Sequence, residues 1–194
     1  MNDRPHHHGN LREALIDAGL ELLAEGGLDG LTLRKAAARA GVSHAAPAHH
    51  FPGKHGLVAA IVAKGFSTFT EMMQAERYRN GDAPEAQLAG ICRGYLAFAR
   101  DCPALFQLIF TTDLTGEDDA EAAAAGLAAY TVLAEVAALF EPLSEQPGAT
   151  ELAIWSLVHG YASLNGLHRA RDPESGAAID FDILLKGLAL RPRT

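Results

Sequence analysis

The stretch Leu31 to Lys54, LTLRKAAARAGVSHAAPAHHFPGK, constrains this chain more than any other segment. It reads as two short helical patterns on either side of a glycine, a unit sized to enter a DNA major groove. Thr32 stands where an N-cap belongs, and Leu33, Ala36, Ala37 and Ala40 follow as one apolar stripe at helical spacing. Ala37 and Gly41 lie four apart, so a small side chain faces the crossing helix. The bend then falls on the one residue type that takes a left-handed backbone without steric cost. Ser43 is the expected N-cap of the second helix. Pro47 comes four residues later, where its ring crowds only the Ser43 carbonyl, so the second helix is expected to be short.

Charge points the same way. From Gly30 to Thr70 the chain carries Arg34, Lys35, Arg39, Lys54 and Lys64 but no Asp or Glu, although its net charge is -8. A duplex is a dense line of phosphates, and cations that displace its counterions supply most of the non-specific affinity. An acid-free segment inside an acidic chain therefore marks a face. An Ala-rich helical pair around A-x-x-x-G is also what a plain helical hairpin looks like. Spacing, two cap positions, the basic segment and a long helix in front together favour the DNA reading.

The segment AGVSHAAPAHHFPGKHGL resembles the recognition segment of the TetR family of bacterial transcription regulators, and the resemblance extends back through HHGNLREALIDAGLELLAEGGLDGLTLRKAA. In that family the second helix lies in the major groove, flanking residues hold phosphates and the protein acts as a dimer. The resemblance implies that Ser43, His44, Ala45 and Ala46 form the DNA-facing start of the recognition helix, with His49 on the same short element. Thr32 and Lys54 match positions that hold the phosphate backbone, contacts that set position and not sequence. His50 and Phe51 match a near-fixed His-Phe pair, in which Phe51 packs under the motif. Ala48 departs from the family, which usually places a phosphate-binding tyrosine there. Arg34, Lys35, His44 or His49 could compensate. The DNA-binding candidates are thus Thr32, Arg34, Lys35, Ser43, His44, Ala45, Ala46, His49, His50 and Lys54.

A length of 194 residues suits one compact unit or a small domain joined to a larger one. The expected division is a helix-turn-helix domain with an N-terminal arm over residues 1–55, then a helical ligand-binding and dimerisation domain over 56–194. His6, His7 and His8 belong to that arm, which could touch DNA. Cys92 and Cys102 make no C-x-x-C pair and suit a reducing compartment as buried thiols. No signal-peptide core is present. The longest apolar run, Ala122 to Ala134, falls short of the roughly 20 residues that span a bilayer, so a soluble cytoplasmic protein is expected.

Helical periodicity runs through nearly the whole chain. Leu11, Leu15, Ala18 and Leu22 form one stripe of the first helix, which Gly26 and Gly27 end. A long helix is expected from about Lys54 to about Arg79, with Asn80, Gly81, Asp82 and Pro84 breaking the pattern. Further helices are expected near Glu85 to Asp101, Pro103 to Thr112, Asp119 to Phe140, Ala149 to Arg171 and Asp180 to Leu190. Glu117 to Ala125 is acidic, then alanine-rich, and is expected to fray at its start. The fold class is all-α, with about nine helices.

The second half resembles a TetR subgroup marked by a Trp, His, Gly signature, seen as Trp155, His159 and Gly160 in IWSLVHGYASLNGL, with YLAFARDCPALFQLIF also similar. Trp155 and His159 share a helix face, and Gly160, Ser163 and Gly166 offer small surfaces to a neighbour. The resemblance implies a four-helix dimer interface from Asp119 to Phe140 and Ala149 to Arg171, although the same small residues could pack within one subunit. It also implies a pocket. Its candidate lining is Phe66, Met73, Tyr95, Phe98, Phe106, Phe110, Trp155 and His159, against the alternative that aromatics at this spacing simply pack a core. Such a lining suits an apolar or aromatic effector, with His159, Tyr95 or Cys92 available for a hydrogen bond. An effector favouring a splayed dimer would separate the recognition helices from half-sites about one helical turn apart.

No G-x-S-x-G elbow, Walker loop or G-x-G-x-x-G follows a strand, so neither an enzyme nor a cofactor is expected. His44, His49, His50 and His55 lack cysteine or carboxylate neighbours at metal-ligand spacing and read as solvated or phosphate-facing. The expected function is a ligand-responsive repressor binding a two-fold operator as a homodimer. The competing reading is a helical protein-interaction module that has lost DNA binding.

Overall fold

The computed structural model describes residues 11–112, 120–171 and 180–193. Among these there are eight α-helices and one short 3-10 turn: α1 (Leu11–Gly30), α2 (Leu33–Arg39), the 3-10 turn Ala46–His49, α3 (Gly53–Arg77), α4 (Pro84–Asp101), α5 (Pro103–Thr111), α6 (Ala120–Ala137), α7 (Ala149–Arg171) and α8 (Phe181–Lys186). The only β pairing among the described residues is an isolated antiparallel bridge between Phe140 and Pro192. The all-α expectation holds. The expected arm with His6, His7 and His8 lies outside the described residues, as do residues 117–119 of the fraying segment.

The chain forms two compact units, one of Met1–Gly65 with Ala104–Ala125 and one of Phe66–Pro103 with Gly126–Thr194. In the first, the α1 stripe is buried at Leu15, Ala18 and Leu22, and the helix is interrupted at Gly27, whose φ of 62° leaves the helical region. Leu31, Ala36 and Ala37 of the α2 region and Leu57 and Ile61 of α3 have no solvent exposure, and the Ile61 and Leu31 side chains both close over Gly19 of α1. The α5 residues Leu105 and Ile109 close over Gly65 of α3, where a Cβ would lie 2.9 Å and 2.8 Å from them.

In the second unit α3 and α4 cross closely. A Cβ at Gly90 would lie 2.4 Å from the Glu76 carbonyl oxygen, and one at Gly94 2.4 Å from that of Met72. Small residues four apart on one helix face let two backbones touch. At the end of α3 the buried Arg77 donates from Nε to Gln87 Oε1 at 2.9 Å and from Nη1 to Glu135 Oε2 at 2.6 Å, tying α3 to α4 and α6. A buried guanidinium needs such partners, because an unpaired charge in the interior is costly. By length and composition α6 is apolar enough to cross a membrane, a test that core helices also pass. Its two acids, Glu121 and Glu135, are engaged instead by Arg12 and Arg77.

Helix α1 runs on past the expected stop at Gly26 and Gly27 to Gly30, and the ends of α8 and α6 differ from the sequence expectation for one shared reason. Helix α8 stops at Lys186, short of Leu190, because Ala189 adopts φ 49° and the chain turns back. It then pairs with the end of α6: Glu141 N donates to Arg191 O, Arg193 N to Leu139 O, and Arg193 Nε to Phe140 O, each at 2.8 Å. Helix α6 accordingly ends at Ala137 and not at Phe140.

Candidate nucleic-acid interface

Thr32 has extended backbone angles and its Oγ1 accepts from the Lys35 amide at 3.2 Å, satisfying one of the donors left open at the start of α2. Gly41 has φ 71° and nothing within 4 Å of a would-be Cβ, so its backbone angle, not crowding, calls for glycine there.

The second element departs from expectation. Ser43 is not its side-chain N-cap: the cap position falls on Ala45, without a side-chain bond, and the element is a 3-10 turn over Ala46–His49. Pro47 supplies the reason. An α-helix capped at Ser43 would begin with a bond from the amide of residue 47 to the Ser43 carbonyl, and proline has no N–H. That carbonyl takes the Ala46 amide instead, at 3.0 Å, while Ala48 N donates to Ala45 O at 3.3 Å and His50 N to Pro47 O at 3.0 Å. The Pro47 ring is fully buried and Phe51 is 3% exposed, so both pack beneath the motif.

Thr32, Arg34, Lys35, Ser43, His44, Ala45, His49, His50 and Lys54 are exposed, and Ala46 is half-buried. Ala48, the departure from the tyrosine pattern, is exposed on the same segment. The basic residues of this acid-free stretch are not all free charges. Arg39 donates to Glu25 through both Nη1 at 2.9 Å and Nη2 at 2.7 Å, and to Glu21 at 2.9 Å. This fork, chiefly through its hydrogen bond, holds the Glu25 carboxyl below its ordinary range. Arg39 thereby clamps α2 to α1. Lys35 Nζ donates to Gly30 O at 3.0 Å and Lys54 Nζ to Leu28 O at 2.8 Å, placing two ammonium groups over the open carbonyls at the end of α1. Lys54 does sit in the first turn of the long helix α3, as expected. Arg12 lies over the Phe51 ring at 5.7 Å, a contact sequence reading did not anticipate.

A second cluster gathers in the other unit. Tyr95 Oη and His159 Nδ1 lie 2.7 Å apart, and Tyr95 also bonds the Trp155 side chain. An indole can only donate, so the phenol accepts from Trp155. Burial, as the leading cause, raises the Tyr95 hydroxyl well above its ordinary range and lowers the His159 imidazole. Phe69, absent from the sequence candidates, joins the cluster with ring centroids 4.8 Å from Tyr95 and 5.1 Å from Phe98. Its i, i+3, i+7 spacing with Phe66 and Met73 was the available signal. Phe66, Met73, Tyr95, Phe98, Trp155 and His159 belong to this unit, whereas Phe106 and Phe110 stack on each other in the first, 5.1 Å apart. Cys92 is fully buried, which pushes its thiol up to about 12, and Cys102 is half-buried. Among the described residues no group of three or more His, Cys, Asp or Glu side chains could hold a metal ion.

Over 80 residues the chain is 35% identical to the HTH-type transcriptional regulator BetI of Burkholderia thailandensis, a match that covers 41% of each chain. The matched part is therefore about two fifths of that curated relative's length. A protein of unknown function from Rhodococcus sp. RHA1 has the same fold with a TM-score of 0.78 and 25% identity, over 96% of both chains. The transcriptional regulator FadR from Bacillus subtilis, solved in complex with stearoyl-CoA, aligns with a TM-score of 0.63 and 16% identity, over 91% of this chain and 95% of that one. Residues 15–61 match the family model of bacterial regulatory proteins, tetR family, and residues 88–185 match that of the tetracyclin repressor-like C-terminal domain. The chain belongs to the TetR family.

Proposed function

We propose that the chain is a sequence-specific DNA-binding transcriptional regulator that acts as a homodimer on a two-fold operator and answers to an apolar or aromatic small molecule. The exposed, acid-free surface running from Thr32 to Lys54 carries this reading, since it sits on an otherwise acidic chain and surrounds a capped helix and a glycine bend. Thr32, Arg34, Lys35 and Lys54 take the phosphate contacts, with His50 beside them. Ser43, His44, Ala45, Ala46 and His49 read the groove. Residues 1–55 form the DNA-binding part and 56–194 the effector and dimer part. Exposed Leu127 and Tyr130 of α6 and exposed Leu152 and Trp155 of α7 support a helical dimer face. The Tyr95, Trp155 and His159 cluster, with Phe66, Met73 and Phe98 in the same unit, supports an effector site in the manner of the Trp-His-Gly subgroup. Family membership supports a non-enzymatic, cytoplasmic role.

Selection of bound sequences from a random duplex library, followed by a salt series on the winner, tests this. The expected outcome is a two-fold symmetric site whose affinity falls steeply with salt, with log K falling by about 0.9 per tenfold salt increase for each phosphate neutralised. No enrichment at low salt would overturn it in favour of a helical interaction module.

A further inference from the structure

We propose that Pro47 is a specificity-determining positioning residue: by holding residues 46–49 in a 3-10 turn, it sets His49 in line with Ala46 on the reading edge and so decides which bases are read. Pro47 can have this role only if the chain binds DNA as proposed above, and the experiment below separates the two. Three observations carry it. The Ser43 carbonyl accepts from Ala46 because residue 47 has no amide hydrogen, and two further i→i−3 bonds continue the turn. The Pro47 ring is fully buried, so it acts on exposed neighbours without reaching a groove itself. Those neighbours, Ala45, Ala48 and His49, are exposed, with Ala46 half-buried.

The geometric consequence is large on the scale of a base pair. A 3-10 helix turns about 120° and rises about 2.0 Å per residue, against about 100° and 1.5 Å in an α-helix. From Ala46 to His49 the difference accumulates to about 60° of rotation and about 1.5 Å of rise. Side chains three apart eclipse, so His49 lies along the same edge as Ala46, and Ala48 along that of Ala45. Two alanine edges admit close approach and contact with a thymine methyl, and the imidazole adds a hydrogen-bonding reader beside them. An α-helical turn would swing His49 off this edge.

The test applies random-duplex selection to wild type, Pro47→Leu and Pro47→Ala. Each is then titrated with its winner, with all single-base variants of the wild-type winner and with a mixed-sequence duplex of the same length, while circular dichroism and unfolding temperature monitor folding. Folded variants are expected to bind the mixed duplex within about threefold of wild type but to change discrimination by about tenfold at the base pairs that His49→Ala also affects. Selection of the wild-type sequence by both variants, with unchanged discrimination at every position, would overturn the role of Pro47 alone. Absence of any duplex binding by wild type at low salt would overturn the DNA-binding reading and this role with it. If both Pro47 variants are unfolded, the decision falls to Ala46→Ser and His49→Ala in the wild-type background. Effects on the same or adjacent base pairs support the eclipsed arrangement, and effects on separated base pairs refute it.

Discussion

Gly94→Ala is expected to destabilise the protein although alanine is the better helix former. The substitution places a Cβ 2.4 Å from the Met72 carbonyl oxygen and 2.6 Å from Met73 Cα, where ordinary contact begins at 3.4 Å. Helices α3 and α4 must therefore part locally by about 1 Å, and the obstacle is backbone, which has no rotamer to escape into. Overpacking of this kind costs about 1–3 kcal/mol, with backbone obstacles at the upper end. Helix propensity returns at most about 1 kcal/mol. The net expectation is a loss of about 2 kcal/mol, or about 4–8 °C in Tm for a chain of this size. Thermal and urea unfolding, followed by circular dichroism at fixed protomer concentration, measure it, because a dimer's Tm shifts with concentration. An unchanged or raised Tm would refute the close α3–α4 crossing. The Arg77 bonds to Gln87 and Glu135 lie at the same junction, so the variant should also loosen them.

Lys54→Ala should weaken binding to all duplexes about equally, since its contact is with phosphate; a changed sequence preference in a selection assay would refute that role. Ala48→Tyr should tighten binding by restoring a hydroxyl at an exposed position, and unchanged affinity by fluorescence anisotropy would mean another side chain already fills the phosphate contact. The half-buried His159 binds its proton less readily folded than unfolded, its ordinary value being 6.5. Stability from this group is thus present above that value and lost as pH falls below it. Wild type should lose more Tm than His159→Gln between pH 7.5 and about 5.5, and parallel pH profiles would exclude the histidine as the cause.

Much of the helix order is legible locally. Pro84 and Pro103 open α4 and α5, and Gly81 at φ 106° and Gly148 at φ 80° mark breaks before α4 and α7. A cap, a proline or a left-handed glycine acts within a few residues, so its signal survives without knowledge of the fold. The recognition element was legible only in part. Pro47 announced a short helix, but the shift of the cap from Ser43 to Ala45 depended on where a carbonyl finds its donor once the proline amide is missing.

Periodicity, breakers and the acid-free stretch from Gly30 to Thr70 thus determined the all-α class, the helix-turn-helix and its exposed face, because these are properties of neighbours along the chain. Tertiary structure alone decided which charges that face keeps. Arg39 turns to Glu21 and Glu25, Lys35 to Gly30, and Lys54 to Leu28, each partner brought near only by the packing of α1. It also decided that Gly90 and Gly94 are a helix crossing and that the chain beyond Ala189 pairs with the end of α6. A side chain's partner across space depends on how helices cross, and hydrophobic spacing fixes which face is buried without fixing what that face meets.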